Sequence, residues 1–588
     1  MKIMVIILKT VLFLLLLAVL ELNHNTLWGW AAAFLLFAGY LFLSEKVLVP
    51  HKWFTGMGML LGFLILFAGI LFLSWPPVRA VPAVPEKDPQ RTEIITVKNG
   101  QLRGVCNAEG DVEIYTGIPY AKPPVGELRW KEPQDAEDWE GILEADHFAP
   151  MSMQPVNLPI YSSLARIIGY HDYSISLQDN YREPVSEDSL YLNIWRPAGK
   201  KDLPVLVYIH GGSLQTGQPW YADYSGEGLA KQDILVVNIG YRLGVFGFYA
   251  DEELAKESPN ATTGNYGLLD MIKALQWVQE NIEAFGGDPD NVTLAGESAG
   301  AASVSALCTS PLAKGLFRRV ILESSTVASK EPPHSYRSFE EALASGEKLK
   351  ERYGVSSVEE LRSLPAEKLV GEASSQHHIT VDGYVLKEDP YLSYRKGEHN
   401  EEAILHGYNA KESAPFLLFT KTDLKSYEER VRAFFGDYTE EVLKIYAPAD
   451  DEEATEMWAD IYGAVFFNYP HYCLNRLANQ NGIPVYEYFF NKDNGRLGSW
   501  HSGEEIYCYG NIPEGSKLYD EEDRELARIM SAYFASYAED GDPNRSDLPL
   551  WEKNENDLSL MEFSSQVRRS EEKMKPLYDI LDRMQGWE

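Results

Sequence analysis

The residues best suited to nucleophilic chemistry form a Gly-x-Ser-x-Gly pattern at Gly296, Ser298 and Gly300. A short apolar run, Val292 to Ala295, precedes the pattern, and small residues from Ala299 towards Leu307 follow it with helical character. A strand, a sharp turn and a helix in this order are typical of a nucleophile elbow, in which a strained backbone raises the serine Oγ above the edge of a sheet. The five-residue pattern alone also fits a tight turn with an ordinary serine. Whether Ser298 is a nucleophile must therefore be judged from other residues of the chain.

A serine hydroxyl needs a general base at neutral pH, and the base needs a carboxylate to orient it. In α/β-hydrolases the chain order is serine, acid, histidine, and only His471 and His501 lie well beyond Ser298 and after a plausible acid. His501 is flanked by glycines on a loop that follows a predicted strand, which favours it as the base. His471 follows Pro470 at a predicted helix start, where a capping or packing role fits better.

Glu412 is the favoured acid because it comes shortly after the apolar run Ala403 to Leu405. A carboxylate just beyond a parallel strand lies at the catalytic edge of the sheet. From these residues alone, a solvated charge beside Lys411 is an equally good explanation of Glu412. Asp382, between Val381 and Gly383, is the competing acid, although an aspartate in a turn explains it better.

Backbone N–H groups could stabilise the negative charge of a tetrahedral intermediate. The elbow would supply the N–H of Ala299, and the glycine-rich loop after Val205 to Ile209 would supply those of Gly212 and Ser213.

The four cysteines are widely spaced and contain no C-x-x-C pair. The sequence therefore implies no metal site and no organic cofactor.

Strands and helices alternate along the part of the chain that carries these residues. Continuous apolar runs predict buried strands, and apolar positions at helical spacing predict helices. We expect an α/β fold, with a mostly parallel central sheet flanked by helices. The predicted strands are Ile94–Val97, Val112–Tyr115, Val205–Ile209, Ile234–Ile239, Val292–Ala295, Val320–Leu322, Ala403–Leu405 and, last, Val485–Phe489; the clearest helices are Leu268–Asn281, a charged helical insertion over 338–368, and Glu522–Glu539.

The net charge of the 588-residue chain is −34 at pH 7. Because residues 1–80 carry a net +3, the remainder carries about −37. Such a surface does not bind nucleic acid or anionic lipid electrostatically.

Three apolar runs occupy the N-terminus, at residues 3–20, 27–44 and 54–74. The second and third runs are about long enough to cross a bilayer. The first contains Lys9 near its start, and a secretory signal is the alternative for it. Because no small-residue cleavage site follows Leu20 and further apolar runs come next, we favour three transmembrane helices. Lysines near the N-terminus and between the second and third runs place these segments in the cytoplasm by the positive-inside rule. Three crossings would then put the rest of the chain outside the cell membrane.

The predicted organisation has three parts: a membrane anchor over 1–76, a proline-rich tether over 77–92, and one catalytic domain over 93–588. Prolines stiffen the tether. The segment from Ser152 to Tyr181 has little periodicity and receives no assignment. The sequence does not determine the oligomeric state.

With these motifs assembled, residues 93–588 resemble the type-B carboxylesterase family, which includes cholinesterases and bacterial para-nitrobenzyl esterases. The resemblance rests on Phe285–Pro289 leading into the elbow, on Glu187–Ile194, on Tyr241–Gly244 and on Trp551. It implies an α/β-hydrolase fold, a small-molecule ester substrate and a catalytic triad of Ser298, Glu412 and His501. It also implies a supporting role for Ser324 near the catalytic histidine.

Several residues depart from the family pattern. Ser213 replaces a frequent third glycine, Ser413 replaces the glycine that usually follows the acid, and Ser189 replaces a cysteine of a family disulfide whose partner position is near Ser152. The family disulfide is therefore expected to be absent. The sequence shows no tryptophan between Ser152 and Ser189 of the kind that binds choline, which disfavours cholinesterase activity.

The sequence thus predicts a membrane-anchored serine esterase that forms an acyl-enzyme. Two alternatives remain: a lipase or acyl-transfer enzyme acting on lipid esters, and a catalytically silent adhesion or binding module of the same fold. The intact triad argues against the silent module. The sequence does not identify the physiological substrate, because the residues that line the substrate pocket would come from loops far apart in the chain.

Overall fold

The computed structural model describes residues 2–47, 54–84, 89–155, 182–330, 336–371, 378–493, 499–555 and 558–587. The chain divides into two compact units. One contains residues 1–81 and 156–184, and the other contains residues 82–155 and 185–588. Residues 48–53, part of the predicted tether and most of the unassigned segment between Ser152 and Tyr181 lie outside the described residues.

The N-terminal unit contains three helices: α1 (Lys2–Leu22), α2 (Leu27–Val47) and α3 (Phe54–Leu73). Among the described residues, Leu27–Ser44 and Gly56–Leu73 are long and apolar enough to cross a membrane, and α1 is not among such stretches. Two of the three predicted spans are therefore supported by length and composition. Helix α1 carries Lys9 within its apolar sequence, and the Lys9 ammonium donates to the Ser44 hydroxyl of α2 at 2.7 Å.

The second unit is built on an eleven-stranded sheet. In chain order its strands are β1 (Val105–Cys106), β2 (Val112–Pro119), β3 (Tyr191–Pro197), β4 (Leu203–Ile209), β5 (Leu235–Ile239), β6 (Gly287–Glu297), β7 (Arg319–Glu323), β8 (Ile404–Asn409), β9 (Val485–Phe490), β10 (Ser559–Phe563) and β11 (Val567–Glu571). Their spatial order is 11-10-9-8-7-6-4-5-3-2-1. The run from β5 to β10 is parallel, and β1, β2, β3 and β11 pair antiparallel at the two sides.

Helices cover this sheet. They are α4 (Glu227–Ala230), α5 (Gly244–Phe248), α6 (Glu252–Glu257), α7 (Tyr266–Asn281), α8 (Ala299–Cys308), α9 (Phe339–Tyr353), α10 (Val358–Arg362), α11 (Ala366–Leu369), α12 (Pro390–Arg395), α13 (Ala414–Leu417), α14 (Leu424–Phe435), α15 (Thr439–Ile445), α16 (Asp451–Gly463), α17 (Tyr469–Asn481), α18 (Glu505–Cys508), α19 (Glu521–Asp540) and α20 (Lys575–Gln585). In a small three-stranded sheet, Gly100–Arg103 pairs with Ile95–Val97 on one side and Ile142–Glu144 on the other. Two further small sheets pair Met151–Ser152 with Val185–Ser186 and Tyr336–Ser338 with Ile379–Val381.

Strand β4 shows why the central strands lack a polar face. Val205, Val207 and Ile209 belong to one buried apolar cluster, while Leu206 and Tyr208 belong to another. Successive side chains of a strand point to opposite faces, so both faces of the sheet are covered. The predicted mostly parallel sheet with flanking helices is confirmed.

The prediction that Val485–Phe489 forms the last strand is wrong, because β10 and β11 follow it. Strand β10 is only five residues long, and the edge strand β11 reads Val-Arg-Arg-Ser-Glu with mostly exposed or half-buried side chains. Such a short polar segment carries no apolar periodicity, as is common at the edge of a sheet. Helix α19 matches the predicted closing helix but is followed by α20.

Candidate active site

Ser298 lies at the turn between β6 and α8. Its backbone has φ 52° and ψ −122°, a strained conformation for a residue with a side chain. The Ser298 N–H donates to the Glu323 carbonyl of β7 at 2.8 Å, which fixes the turn against the neighbouring strand. A Cβ placed on Gly300 would lie 2.0 Å from the Ile209 carbonyl oxygen, so only glycine lets α8 approach β4 this closely.

Three side chains that are distant in sequence meet at this turn. The Ser298 Oγ lies 2.8 Å from His501 Nε2, and His501 Nδ1 lies 2.6 Å from a Glu412 carboxylate oxygen. The second Glu412 oxygen accepts the Asn409 N–H at 2.7 Å. A carboxylate at Nδ1 favours the tautomer in which Nδ1–H donates and Nε2 can accept the serine proton. This linear arrangement can activate a hydroxyl nucleophile.

The carboxyl ends of three parallel strands bring these residues together. Ser298 directly follows β6, Glu412 follows β8 by three residues, and His501 lies on the segment after β9. Because parallel strands end at the same edge of a sheet, their following loops converge. Ser413 has φ −73° and ψ −16°, an ordinary helical conformation. The position after the acid therefore does not require glycine in this chain.

Two aromatic rings flank the imidazole of His501. The Phe416 ring lies 5.3 Å and the Phe467 ring 4.8 Å from it between centroids. Phe467 is placed by one π-helical turn, Ala464–Asn468, between α16 and α17. The two rings pack against the imidazole, and His501 is only 6% exposed.

Glu297 is the nearest additional carboxylate. One of its oxygens lies 3.3 Å from His501 Nε2 and accepts the Ser502 hydroxyl at 2.6 Å. Burial lowers the pKa of His501, but Glu297 and Glu412 raise it more, and the net pKa is raised to about 9. The negative charges beside the ring therefore stabilise the imidazolium that forms when the serine gives up its proton.

Glu504 forms a second hydrogen-bonded group behind the triad. It accepts the Ser324 hydroxyl at 2.9 Å and the Tyr488 hydroxyl at 3.3 Å, and the Asn409 side chain donates to its other oxygen. Burial and then the Glu412 and Glu297 carboxylates raise the pKa of Glu504 to about 8. Ser324, predicted as a supporting residue, thus bonds to Glu504 rather than directly to His501.

Sequence reasoning missed Glu297, Glu504 and Phe467 as parts of this site. Signals existed for the first two, since Glu297 directly precedes the nucleophile and Glu504 follows His501 by three residues. Their acidic side chains are almost fully buried. Phe467 carries no comparable signal, because its place beside His501 depends on the π-helical turn.

The loop after β4 lies against the nucleophile. A Cβ on Gly211 would lie 3.0 Å from the Ser298 Cβ. Gly212 has φ 106° and Ser213 has φ 56°, so the loop turns sharply here. Within the described part of the chain, the N–H groups of Gly212, Ser213 and Ala299 donate to no protein acceptor. Free N–H groups on two segments beside Ser298 are what an oxyanion-binding site requires.

The competing histidine and aspartate have structural partners instead. His471 is fully buried, and its Nδ1 lies 2.8 Å from the Nδ1 of His406. One Asp382 oxygen accepts the backbone N–H groups of three residues, Tyr384, Val385 and Leu386. Asp382 is therefore a turn aspartate, and neither residue is bonded to Ser298 or His501 in the described structure.

A serine pair occupies the place expected for the missing disulfide. The Ser152 hydroxyl lies 2.9 Å from the Ser189 hydroxyl and also bonds to the Tyr241 carbonyl at 2.6 Å. Cys106, Cys308, Cys473 and Cys508 are all free and buried. A hydrogen bond thus replaces a covalent link between these two segments.

Residues 91–578 match the model of the carboxylesterase family. A fumonisin B1 esterase of Sphingopyxis macrogoltabida is 33% identical over 529 residues, covering 86% of this chain and 92% of that protein. Carboxylesterase 1C of Mus musculus is 30% identical over 497 residues, covering 79% of this chain and 87% of that protein.

Solved structures show the same likeness. Carboxylesterase EST55 of Geobacillus stearothermophilus has a TM-score of 0.70 and 33% identity, over 83% of this chain and all of that chain. A PNB esterase has a TM-score of 0.69 and 27% identity, over 83% of this chain and 99% of that chain. The chain belongs to the carboxylesterase family, and its α/β-hydrolase fold and carboxylic-ester hydrolase activity follow from that membership.

Proposed function

We propose that this protein is a serine carboxylesterase that works through an acyl-enzyme, with Ser298 as nucleophile, His501 as general base and Glu412 as the orienting acid. The observation that carries the proposal is the continuous line of hydrogen bonds from Ser298 to His501 at 2.8 Å and from His501 to Glu412 at 2.6 Å. Relatives that are named esterases support it.

In the first half-reaction, His501 Nε2 takes the Ser298 proton while Oγ bonds to the ester carbonyl carbon. The carbonyl oxygen becomes an oxyanion, and the N–H groups of Gly212, Ser213 and Ala299 donate to it. As the tetrahedral intermediate collapses, the ester C–O bond breaks and His501 gives its proton to the leaving alkoxide. The alcohol leaves, and the acyl group stays on Ser298.

In the second half-reaction, water attacks the acyl carbon. His501 takes a proton from that water, a second tetrahedral intermediate forms, and its collapse returns the proton to Ser298 and releases the acid. Glu412 keeps Nδ1–H oriented and stabilises the imidazolium in both steps. No step uses a cofactor.

The hydrolase unit is anchored in the cell membrane by the N-terminal helices and lies on the extracytoplasmic side. The two stretches in α2 and α3 that are able to cross a membrane support the anchor. The distribution of lysines among the loops supports the orientation, which also requires α1 to cross the membrane.

The test uses the full chain in phosphatidylcholine nanodiscs with p-nitrophenyl acetate and butyrate. Ser298→Ala should lower turnover by roughly 10⁴-fold or more. A fluorophosphonate should label the wild type but not Ser298→Ala, with the label on the peptide that contains residue 298. Ser426→Ala, which changes a serine near the N-terminus of α14, is the matched control and should retain both activity and labelling. Turnover that persists in folded Ser298→Ala would contradict the proposal.

A further inference from the structure

Gln154 is a buried amide side chain that the proposed mechanism does not use, and it is only 5% exposed. Its Nε2 donates to the Gly217 carbonyl at 2.7 Å, and its Oε1 accepts the Gly217 N–H at 3.0 Å. Nε2 also donates to the Ser152 carbonyl at 3.1 Å. The amide thus pairs with both backbone polar groups of Gly217, and both of its own polar atoms are bonded, as burial of an amide requires.

Gly217 closes the loop that carries two of the three candidate oxyanion donors. Its φ is 111°, a conformation that residues with a side chain rarely adopt. A Cβ at this position would lie 2.3 Å from His210 Nδ1 and 2.6 Å from the Gly211 carbonyl oxygen. Gly217 therefore lies directly against the two residues that precede Gly212.

The loop between these points has a strained backbone. The N–H groups of Gln215 and Thr216 both donate to the Gly212 carbonyl at 3.0 Å, which closes a tight turn. Ser213 and Leu214 both have φ 56°, in the left-handed region. Such conformations persist only where the surroundings hold them. The loop therefore needs fixed points at its base to keep its free N–H groups in place.

Each end of the loop has one side chain that fixes it. At the first end, the Tyr241 hydroxyl donates to the His210 carbonyl at 2.8 Å. At the second end, Gln154 makes the only hydrogen bonds to the Gly217 backbone in the part of the chain that the structure describes. Removing the Gln154 amide would release the second end and leave the first end bonded.

We propose that Gln154 is a positioning residue for the oxyanion-binding site: by fixing Gly217, its side-chain amide orients the N–H groups of Gly212 and Ser213. The inference rests on the proposed serine esterase function and adds to it a residue that acts through the loop. Donors aimed at an oxyanion stabilise the tetrahedral intermediate far more than the neutral ester. Misplaced donors should therefore lower kcat with little change in KM.

The test uses the full chain in phosphatidylcholine nanodiscs with p-nitrophenyl butyrate, and the end point of fluorophosphonate labelling counts the competent sites. Gln154→Met keeps a side chain of similar length but loses both hydrogen bonds to Gly217. Loss of one whole donor typically costs about 10²–10³ in rate, and displaced donors should cost less. We expect kcat per competent site to fall about tenfold to a hundredfold and KM to stay within about twofold.

A trifluoromethyl ketone separates this role from a general loss of structure. Ser298 Oγ adds to the carbonyl carbon of hexyl trifluoromethyl ketone, and the oxyanion of the adduct needs the same donors as the reaction. In Gln154→Met its inhibition constant should rise by about the factor by which kcat/KM falls. The alcohol made by reducing this ketone cannot form the adduct, so its inhibition constant should not change. The pH midpoint of kcat/KM should also stay unchanged, because Gln154 acts on the loop and not on His501.

Two further variants complete the test. Gln276→Met makes the same exchange at an exposed glutamine of α7 and should match the wild type in every measurement. Gln154→Asn keeps an amide but is one methylene shorter, so it should weaken both bonds to Gly217 without placing an apolar group beside it. It should change kcat and the ketone inhibition constant in the same direction, and it provides the answer if Gln154→Met does not fold.

The outcomes separate the inference from the function. If the wild type hydrolyses the ester and folded Gln154→Met matches it in kcat and in ketone inhibition, the inference fails and the esterase proposal stands. Equal weakening of the ketone and the alcohol would mean that Gln154 shapes the substrate pocket, and a shifted pH midpoint would mean that it acts on the base. Either result overturns the inference, as does failure of both Gln154 variants to fold. If the folded wild type hydrolyses no ester, the esterase proposal itself fails.

Discussion

At the scale of single residues, the carboxylates around His501 determine the pH at which the base is available. His501 must be neutral to take the Ser298 proton. With its pKa raised to about 9, chiefly by Glu297 and Glu412, the imidazole is mostly protonated at pH 7. We therefore expect kcat/KM for p-nitrophenyl butyrate to rise with pH through the alkaline range.

Glu297→Gln tests the origin of this pH dependence. The amide keeps an oxygen that can accept the Ser502 hydroxyl but removes a negative charge 3.3 Å from His501 Nε2. Because that charge favours the imidazolium, its loss should move the midpoint of the kcat/KM profile to lower pH. Glu367→Gln, at an exposed distant carboxylate, should leave the midpoint unchanged. A midpoint that moves up, or does not move, in Glu297→Gln would show that Glu297 does not set the pKa of the base.

At the scale of elements, hydrogen-bonded Ser152 and Ser189 join segments 37 positions apart. Replacing both with cysteine should allow a disulfide, because the two oxygens are already 2.9 Å apart. Closing a loop of this length should raise the free energy of unfolding by about 3–4 kcal/mol in the chain-entropy account. The urea midpoint should therefore be higher under oxidising than reducing conditions for Ser152→Cys with Ser189→Cys, and equal for Ser152→Cys alone. Six free thiols in the oxidised double variant would contradict this expectation.

Local sequence patterns predicted the central elements better than the edges. Continuous apolar runs located β4 to β9, because strands buried on both faces are apolar throughout. Helical spacing of apolar residues located α7, because a helix that buries one face repeats apolar residues at that spacing. The order serine, acid, histidine left His471 and His501 as candidate bases, and the family resemblance assigned the triad of Ser298, Glu412 and His501 that the structure brings together. Strand order, by contrast, depends on pairing between distant segments. The edge strand β11 lacks apolar periodicity, and the place of Phe467 beside His501 depends on a π-helical turn, so neither could be inferred locally.

At the scale of the whole molecule, the number of membrane crossings decides on which side the hydrolase unit lies. With three crossings it lies opposite the N-terminus, and with two it lies on the same side. The four native cysteines are buried, so thiol labelling of intact cells should give little background. Single introduced cysteines can therefore report the topology.

We expect Glu514→Cys, at an exposed position of the hydrolase unit, to react with a membrane-impermeant maleimide in intact cells. His51→Cys, in the segment between the second and third apolar runs, should react only after the cells are permeabilised, because flanking lysines favour the cytoplasm. Both variants should remain in the membrane fraction after an alkaline carbonate wash. Labelling of His51→Cys but not Glu514→Cys in intact cells would place the hydrolase unit in the cytoplasm, as expected if only the second and third helices cross the membrane. Labelling of neither before permeabilisation would mean that the third helix does not cross and that the hydrolase unit is cytoplasmic.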